Sequence, residues 1–392
     1  MPNKKVVLAY SGGLDTSVAV RWLSEKGYYV ICYLADVGQE QDFSLARKKA
    51  LKAGAKKVVI GDLKEEFIKD FIWPSLKANA IYESKYFLAT ALSRPLIAKE
   101  LVDLAHKENA GYVAHGCTGK GNDQVRFEVT VGALDSRLKI IAPVREWDLP
   151  TREAEIRYAK LHNIPVEVTK KKPYSIDKNL WGTSIESGKL EDPWAEPEEN
   201  TYQMTKSPEK APNKAHHMRI AFKNGIPSSI DGKKISGRKL IKKLNEIGGK
   251  HSIGRTDLIE DRLVGIKSRE VYEAPGAKIL VEAHKALESL VLDRETLYFK
   301  DIISMRYSRL IYDGLWYTVL REAMDKFIDH TQKKAEGEIR LKLFKGSVQV
   351  TGRRSVNSLY KKELATYGKG DRFDQSLAKG FIELWGLPYK SC

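Results

Sequence analysis

The sequence predicts an α/β protein: an N-terminal parallel sheet with helices on both faces, a second α+β part, and a helical C-terminal tail. Three observations carry that expectation. Over the first 165 residues, short apolar β-branched runs alternate with amphipathic stretches of helical period. Near residue 170 the composition shifts to turn-rich sequence. Beyond the glycine-rich turn "YGKGD" (367–371), Phe373, Leu377, Phe381, Leu384 and Trp385 fall at helical spacing on one face. The expected boundaries are 1–165, 166–365 and 366–392.

The strand-like runs of the first part are "VVLAY" (6–10), "YYVICYLAD" (28–36), "KKVVIGD" (56–62), "GYVAHG" (111–116) and "LKIIAP" (138–143). Helical stretches such as "DFSLARKKALKAG" (42–54) and "RPLIAKELVDLAHKENA" (94–110) separate them. In such sheets ligands bind beyond the carboxyl ends of the strands. Residues 10–15, 35–36 and 115–123 are therefore expected to converge on one crevice. The stretch 171–200, "KKPYSIDKNLWGTSIESGKLEDPWAEPEEN", reads as a long irregular excursion, ordered because Trp181 and Ile185 are residues of a buried type. Further on, "HHMRIAFKNGIPSSIDGKKI" (216–235) carries Asn-Gly and Asp-Gly turn signals. "GRKLIKKLNEI" (237–247) and "PGAKILVEAHKALESLVL" (275–292) read as helices, and "EIRLKLFKGSVQVTGRRS" (338–355) as an antiparallel hairpin.

The chain has 392 residues, 42% of them hydrophobic, and a formal charge of +16. No apolar run is long enough to span a membrane, and the first strand begins too early for a signal peptide, so a cytoplasmic protein is expected. Cys32, Cys117 and Cys392 lack C-x-x-C spacing, which argues against a disulfide framework and a zinc site. The lysines cluster in helical contexts without interleaved aromatics. That reads as a solvated face that also attracts a polyanion, and not as a nucleic-acid platform.

The turn after the first strand, "AYSGGLDTS" (9–17), contains the first chemistry. Gly12 and Gly13 open the main chain to a ligand, and the following helix offers unpaired N–H groups with a partial positive charge. Ser11, Thr16 and Ser17 add hydroxyls. A phosphate group suits such a turn. Asp15 would repel it unless Mg²⁺, which prefers one or two carboxylates plus phosphate oxygens, lies between them. The alternative is an ordinary glycine-rich turn with a helix cap. Neither G-x-G-x-x-G nor a P-loop is present; in "TGKGND" (118–123), Gly121 stands where a P-loop needs Ser or Thr.

"SGGLDTS" resembles the pyrophosphate loop of the ATP pyrophosphatase superfamily. "AHGCTGKGNDQVRFE" (114–128), "KYFLATALSRPLIA" (85–98), "PYSIDKNLWGTS" (173–184), "GRTDLIEDRLVGIKSREVYEAPG" (254–276) and "DHTQKKAEGEIRLKLFKG" (329–346) narrow the resemblance to the argininosuccinate synthetase family. It covers nearly the full length. The implied fold is adenine nucleotide alpha hydrolase-like, with an ATP-binding part (1–165), a synthetase part (166–365) and an oligomerisation helix (366–392) in a homotetramer. The implied reaction joins L-citrulline and L-aspartate with ATP and Mg²⁺, giving argininosuccinate, AMP and pyrophosphate.

Matched motif by motif, the resemblance implies that Ala9, Tyr10, Ser11, Gly12, Gly13, Leu14, Asp15, Thr16, Ser17, Ala35 and Gly116 bind ATP. It assigns Thr118, Asn122 and Asp123 to aspartate, and Tyr86, Asn122, Arg126, Ser175, Ser184, Glu260 and Tyr272 to citrulline. Citrulline carries one carboxylate and one ammonium, which Arg126 and Glu260 suit. Without the family, Glu260 and Tyr272 read as surface or interface residues. Two positions depart from the family: Ala91 stands where Ser is common, and Cys117 where Ala is common. A tRNA-modifying enzyme that shares the loop is the other reading. Thiolation would need a reactive cysteine pair, and the three cysteines are far apart.

Overall fold

The structure, a computed structural model, describes residues 4–165 and 174–390. Five strands form a parallel sheet: β1 (Lys5–Ala9), β2 (Tyr29–Asp36), β3 (Lys57–Asp62), β4 (Tyr112–Ala114) and β5 (Lys139–Ile141), in the order β3-β2-β1-β4-β5. Val6, Val7, Leu8, Ile31 and Cys32 are completely buried, which is why these runs are apolar on both faces. The connections are α1 (Leu14–Glu25), α2 (Phe43–Ala53), a helical segment at 64–77, α3 (Ala89–Glu108) and α4 (Asp123–Leu134). A further helix, α5 (Arg152–Leu161), packs against α1. The chain leaves β1 toward β2 and β3, then returns across the sheet to β4. That reversal opens a crevice at the carboxyl ends of β1 and β4.

Part of the stretch expected to be irregular is a hairpin. β6 (Ser175–Asn179) and β7 (Gly182–Glu186) pair antiparallel, and Asn179 accepts from the backbone N–H of Trp181 and Gly182 at the turn. The alternation is missed because "SIDKN" has only one apolar residue. Trp181 and Ile185 are buried, as their type suggested. This hairpin joins β11 (Arg255–Asp261) and β12 (Lys267–Glu273) in a four-stranded sheet ordered β11-β12-β7-β6. Helix α3 packs on β1 on one side and on β6 and β7 on the other, so one element positions both sheets.

A third sheet, β10-β9-β8-β13-β14, contains β8 (His216–Lys223), β9 (Ile226–Ile230), β10 (Lys233–Lys234), β13 (Gly337–Phe344) and β14 (Ser347–Arg354). The Asn-Gly and Asp-Gly signals sit at its turns. Helices α6 (Gly237–Lys250), α7 (Pro275–Val291), α8 (Arg294–Tyr312) and α9 (Val319–Gln332) complete this half, with α7 packed on β13 and β14. The tail carries α10 (Leu377–Trp385), of which no residue is buried. Among the described residues no helix is long and apolar enough to cross a membrane.

Candidate active site

One cleft of about 760 Å³ opens at the carboxyl ends of β1, β2 and β4. At its floor β1 runs into the glycine turn. Gly12 lies at φ +82, and a Cβ there would come within 2.9 Å of the Gln41 amide nitrogen. That amide in turn donates to the Ser11 carbonyl at 2.6 Å and so braces the turn. Helix α1 starts after Gly13 with no side-chain cap, which leaves its first N–H groups available to a ligand. Ser11 and Thr16 hydroxyls lie 3.1 Å apart at this mouth.

Ala9, Tyr10, Ser11, Asp15, Thr16, Ala35 and Gly116 line the cleft, whereas Gly12, Gly13, Leu14 and Ser17 do not. Ser17 is completely buried, and its hydroxyl donates to the Gly13 carbonyl at 2.7 Å. It shapes the turn from behind. Glu155 of α5 is buried next to Asp15, and among the described residues its Oε2 finds no hydrogen-bond donor. Burial, then the charge of Asp15, pushes the Glu155 carboxyl up to about 8.

Thr118, Asn122 and Asp123 form the wall contributed by the loop into α4. Burial works to raise the Asp123 carboxyl, but Arg94 and Arg126 together hold it below the ordinary carboxylate value. Arg126 donates to Asp123 at 2.8 Å and, through Nε, to the Tyr312 carbonyl at 2.9 Å. His115 braces the loop: its Nδ1 accepts the Cys117 N–H at 3.2 Å, so its Nε2 carries the proton toward Glu128 at 3.0 Å. Cys117 is half-buried in this wall, and burial raises its thiol well above the ordinary value.

The opposite wall comes from the second half of the chain. Ser175, Ser184, Glu260 and Tyr272 all line the cleft, facing Tyr86 and Arg126. Without the family, Glu260 and Tyr272 read as surface or interface residues; they are only 3% and 5% exposed, so the surface reading is corrected. Pairing of β11 with β12, and of β12 with β7, turns them inward, because Tyr272 lies opposite Ser184. Tyr272 donates to Glu260 Oε2 at 2.5 Å and Tyr312 to Oε1 at 2.7 Å. Burial raises the Glu260 carboxyl, although both phenols and the Arg126 and Arg262 charges oppose the rise. Ala91 is completely buried, and the nearby Thr90 and Ser184 hydroxyls pair at 3.1 Å.

The cleft also holds charged residues that motif matching passed over: Arg94, Asp177, Glu186, Arg262 and Glu270. Arg94 bridges Asp123 and Asp177. Arg262 bridges Glu186 at 2.5 Å and Glu270 at 2.6 Å, and burial with neighbouring carboxylates raises Glu270. Arg94 has one visible signal: it is the lone charge inside the otherwise uncharged, largely apolar run "FLATALSRPLIA". The site thus joins a phosphate-type turn to two walls, each with both signs of charge, able to hold zwitterions next to a nucleotide.

Two family models cover the chain: the arginosuccinate synthase N-terminal HUP domain matches residues 5–165, and the arginosuccinate synthase C-terminal domain residues 174–392. An argininosuccinate synthase of Aquifex aeolicus is 57% identical over 392 residues, covering 100% of this chain and 98% of its own. One of Carboxydothermus hydrogenoformans is 56% identical over 388 residues, covering 99% and 97%. A solved structure, of a predicted subunit of tRNA methyltransferase from Methanocaldococcus jannaschii, covers 40% of this chain and 75% of its own. Its identity is 14% and its TM-score 0.29, too slight a likeness to support an argument.

Proposed function

The chain belongs to the argininosuccinate synthase family, and from that premise we propose that the cleft holds ATP, citrulline and aspartate together. The protein is a ligase of arginine biosynthesis that joins L-citrulline to L-aspartate with ATP, giving argininosuccinate, AMP and pyrophosphate. The observation that supports the assignment of sites is the convergence of three sets of residues on one cleft. Residues 9–17, with Ala35 and Gly116, take ATP, the pyrophosphate lying on the first turn of α1. Thr118, Asn122 and Asp123 take aspartate. Tyr86, Asn122, Arg126, Ser175, Ser184, Glu260 and Tyr272 take citrulline, with Arg126 toward its carboxylate and Glu260 toward its ammonium.

A ureido carbon resists attack because both nitrogens donate into the carbonyl. In the proposed route the ureido oxygen attacks the α-phosphorus of ATP and expels pyrophosphate. The aspartate amine then adds at the carbon and AMP leaves with the oxygen. Alignment of the reactants supplies about 7–11 kcal/mol of such a barrier. Asp15, whose carboxylate lines the cleft beside the buried Glu155 carboxyl, suits Mg²⁺, which would neutralise phosphate charge when bound and relieve the crowding of the two acids.

On the proposed organisation, 1–165 is the ATP-binding part, 166–365 the synthetase part and 366–392 the oligomerisation helix of a homotetramer. The exposed apolar face of α10 supports the last of these. We further propose a cytoplasmic enzyme with no nucleic-acid partner, its positive charge serving as solvated surface. The adenylate route is tested by labelling citrulline with ¹⁸O in the ureido group. The label is expected in AMP; label retained in argininosuccinate or lost to water would overturn the route.

A further inference from the structure

We propose that Tyr312 is a positioning residue that holds three citrulline-binding groups, Asn122, Arg126 and Glu260, in one arrangement; this rests on the citrulline assignment above. Tyr312 ends α8, outside every matched motif, and does not itself line the cleft. Its hydroxyl has two partners. It donates to Glu260 Oε1 at 2.7 Å and accepts from Asn122 Nδ2 at 2.7 Å. A phenol has one proton to give, so the donor to Glu260 and the acceptor for Asn122 are fixed together. The other face of the Asn122 amide accepts the Leu263 N–H at 2.9 Å, which leaves that side chain no freedom to turn over.

The rest of the residue grips Arg126. The Tyr312 carbonyl takes the Arg126 Nε–H at 2.9 Å, and the guanidinium lies over the ring at 4.9 Å. With Nη1 committed to Asp123, the guanidinium is anchored at two of its three nitrogens. The ring itself cannot swing, because Tyr82 stacks on it at 3.6 Å and Tyr86 meets its edge at 6.4 Å. Just beyond, Gly314 lies at φ +76, and a Cβ there would come within 2.8 Å of the Arg126 Cα. The turn after α8 thus rests on Arg126 with no room for a side chain. One residue from the second half of the chain sets the spacing between the cation and the anion offered to citrulline.

Tyr312→Phe keeps the ring and the carbonyl and removes only the hydroxyl. It is expected to raise the citrulline KM about tenfold or more, with a smaller rise in the aspartate KM through the shared Asn122, and with kcat and the ATP KM within about twofold of the parent. Gly314→Ala, which displaces the grip on Arg126 without touching the hydroxyl, is expected to give the same citrulline-selective pattern. Glu260→Gln is the control for the assignment itself. If Glu260→Gln raises the citrulline KM while neither Tyr312→Phe nor Gly314→Ala does, the positioning role is overturned and the citrulline assignment stands. If Glu260→Gln leaves it unchanged, the assignment falls, and the positioning role with it. Equal losses toward all three substrates in the Tyr312 and Gly314 variants would mark the segment as merely structural and overturn the proposal.

Discussion

Arg126 shows how much one side chain is asked to do. Its guanidinium spans the Tyr312 carbonyl and the Asp123 carboxylate while 4% exposed. A lysine keeps the charge but has no planar fork to reach both. Arg126→Lys is expected to lose roughly 2–3 kcal/mol, about 30- to 150-fold in the citrulline KM, with a smaller change for ATP. Equal changes for both substrates would reassign Arg126 to a general electrostatic role. Glu260 governs a pH effect. Burial raises its carboxyl, against Tyr272, Tyr312, Arg126 and Arg262. As pH rises through that elevated value the carboxylate forms and can hold an ammonium. The acid limb of kcat/KM for citrulline should therefore lie above the ordinary glutamate range of about 4.3, and Glu260→Gln should flatten it. A limb that survives Glu260→Gln unchanged would belong to another group.

Among elements, helices α7, α8 and α9 meet around a buried ion pair. Lys300 on α8 is 1% exposed and lies 3.0 Å from Glu288 on α7, itself 2% exposed. Gln332 on α9 and Asn79, just after the 64–77 segment, each donate to Glu288 at 2.6 Å. A carboxylate left there without its cation is costly. Lys300→Met is expected to destabilise the protein by about 3–5 kcal/mol, and adding Glu288→Gln should recover most of it. Urea denaturation of the two variants decides the point; an unshifted midpoint for Lys300→Met would show that the pair contributes nothing. The sheets differ in how far they could be read in advance. β1, β2 and β4 announce themselves by apolar runs buried on both faces. β6, β11 and β12 are polar strands whose pairing is visible only in three dimensions.

For the molecule as a whole the tail is the open surface. Phe381, Leu384 and Trp385 are 62%, 71% and 66% exposed on α10. Burying an apolar helix face of this kind yields about 25 cal/mol per Å², so a neighbouring subunit is its expected cover. A chain truncated after Gly370 should lose its tetrameric mass and bind an apolar dye more strongly, while the N-terminal part keeps its fold. Light scattering on the full-length and truncated proteins tests this. A monomeric full-length protein, or a truncated one that stays tetrameric, would show that α10 is not the assembly element.

By itself the sequence determined the parallel sheet, the glycine turn, the loop at 115–123 and the family, because each depends on local pattern: apolar runs, turn residues and contiguous motifs. The tertiary structure alone decided that Glu260 and Tyr272 face inward. Strand register turns those side chains, and register is set by pairing with a hairpin that lies well upstream, Tyr272 opposite Ser184. It alone brought Arg94, Arg262 and Tyr312 to the site. Arg94 and Tyr312 take their roles from partners distant in the chain, as Arg262 does from Glu186, and no local pattern marks the carboxylate that a charge or a phenol will meet.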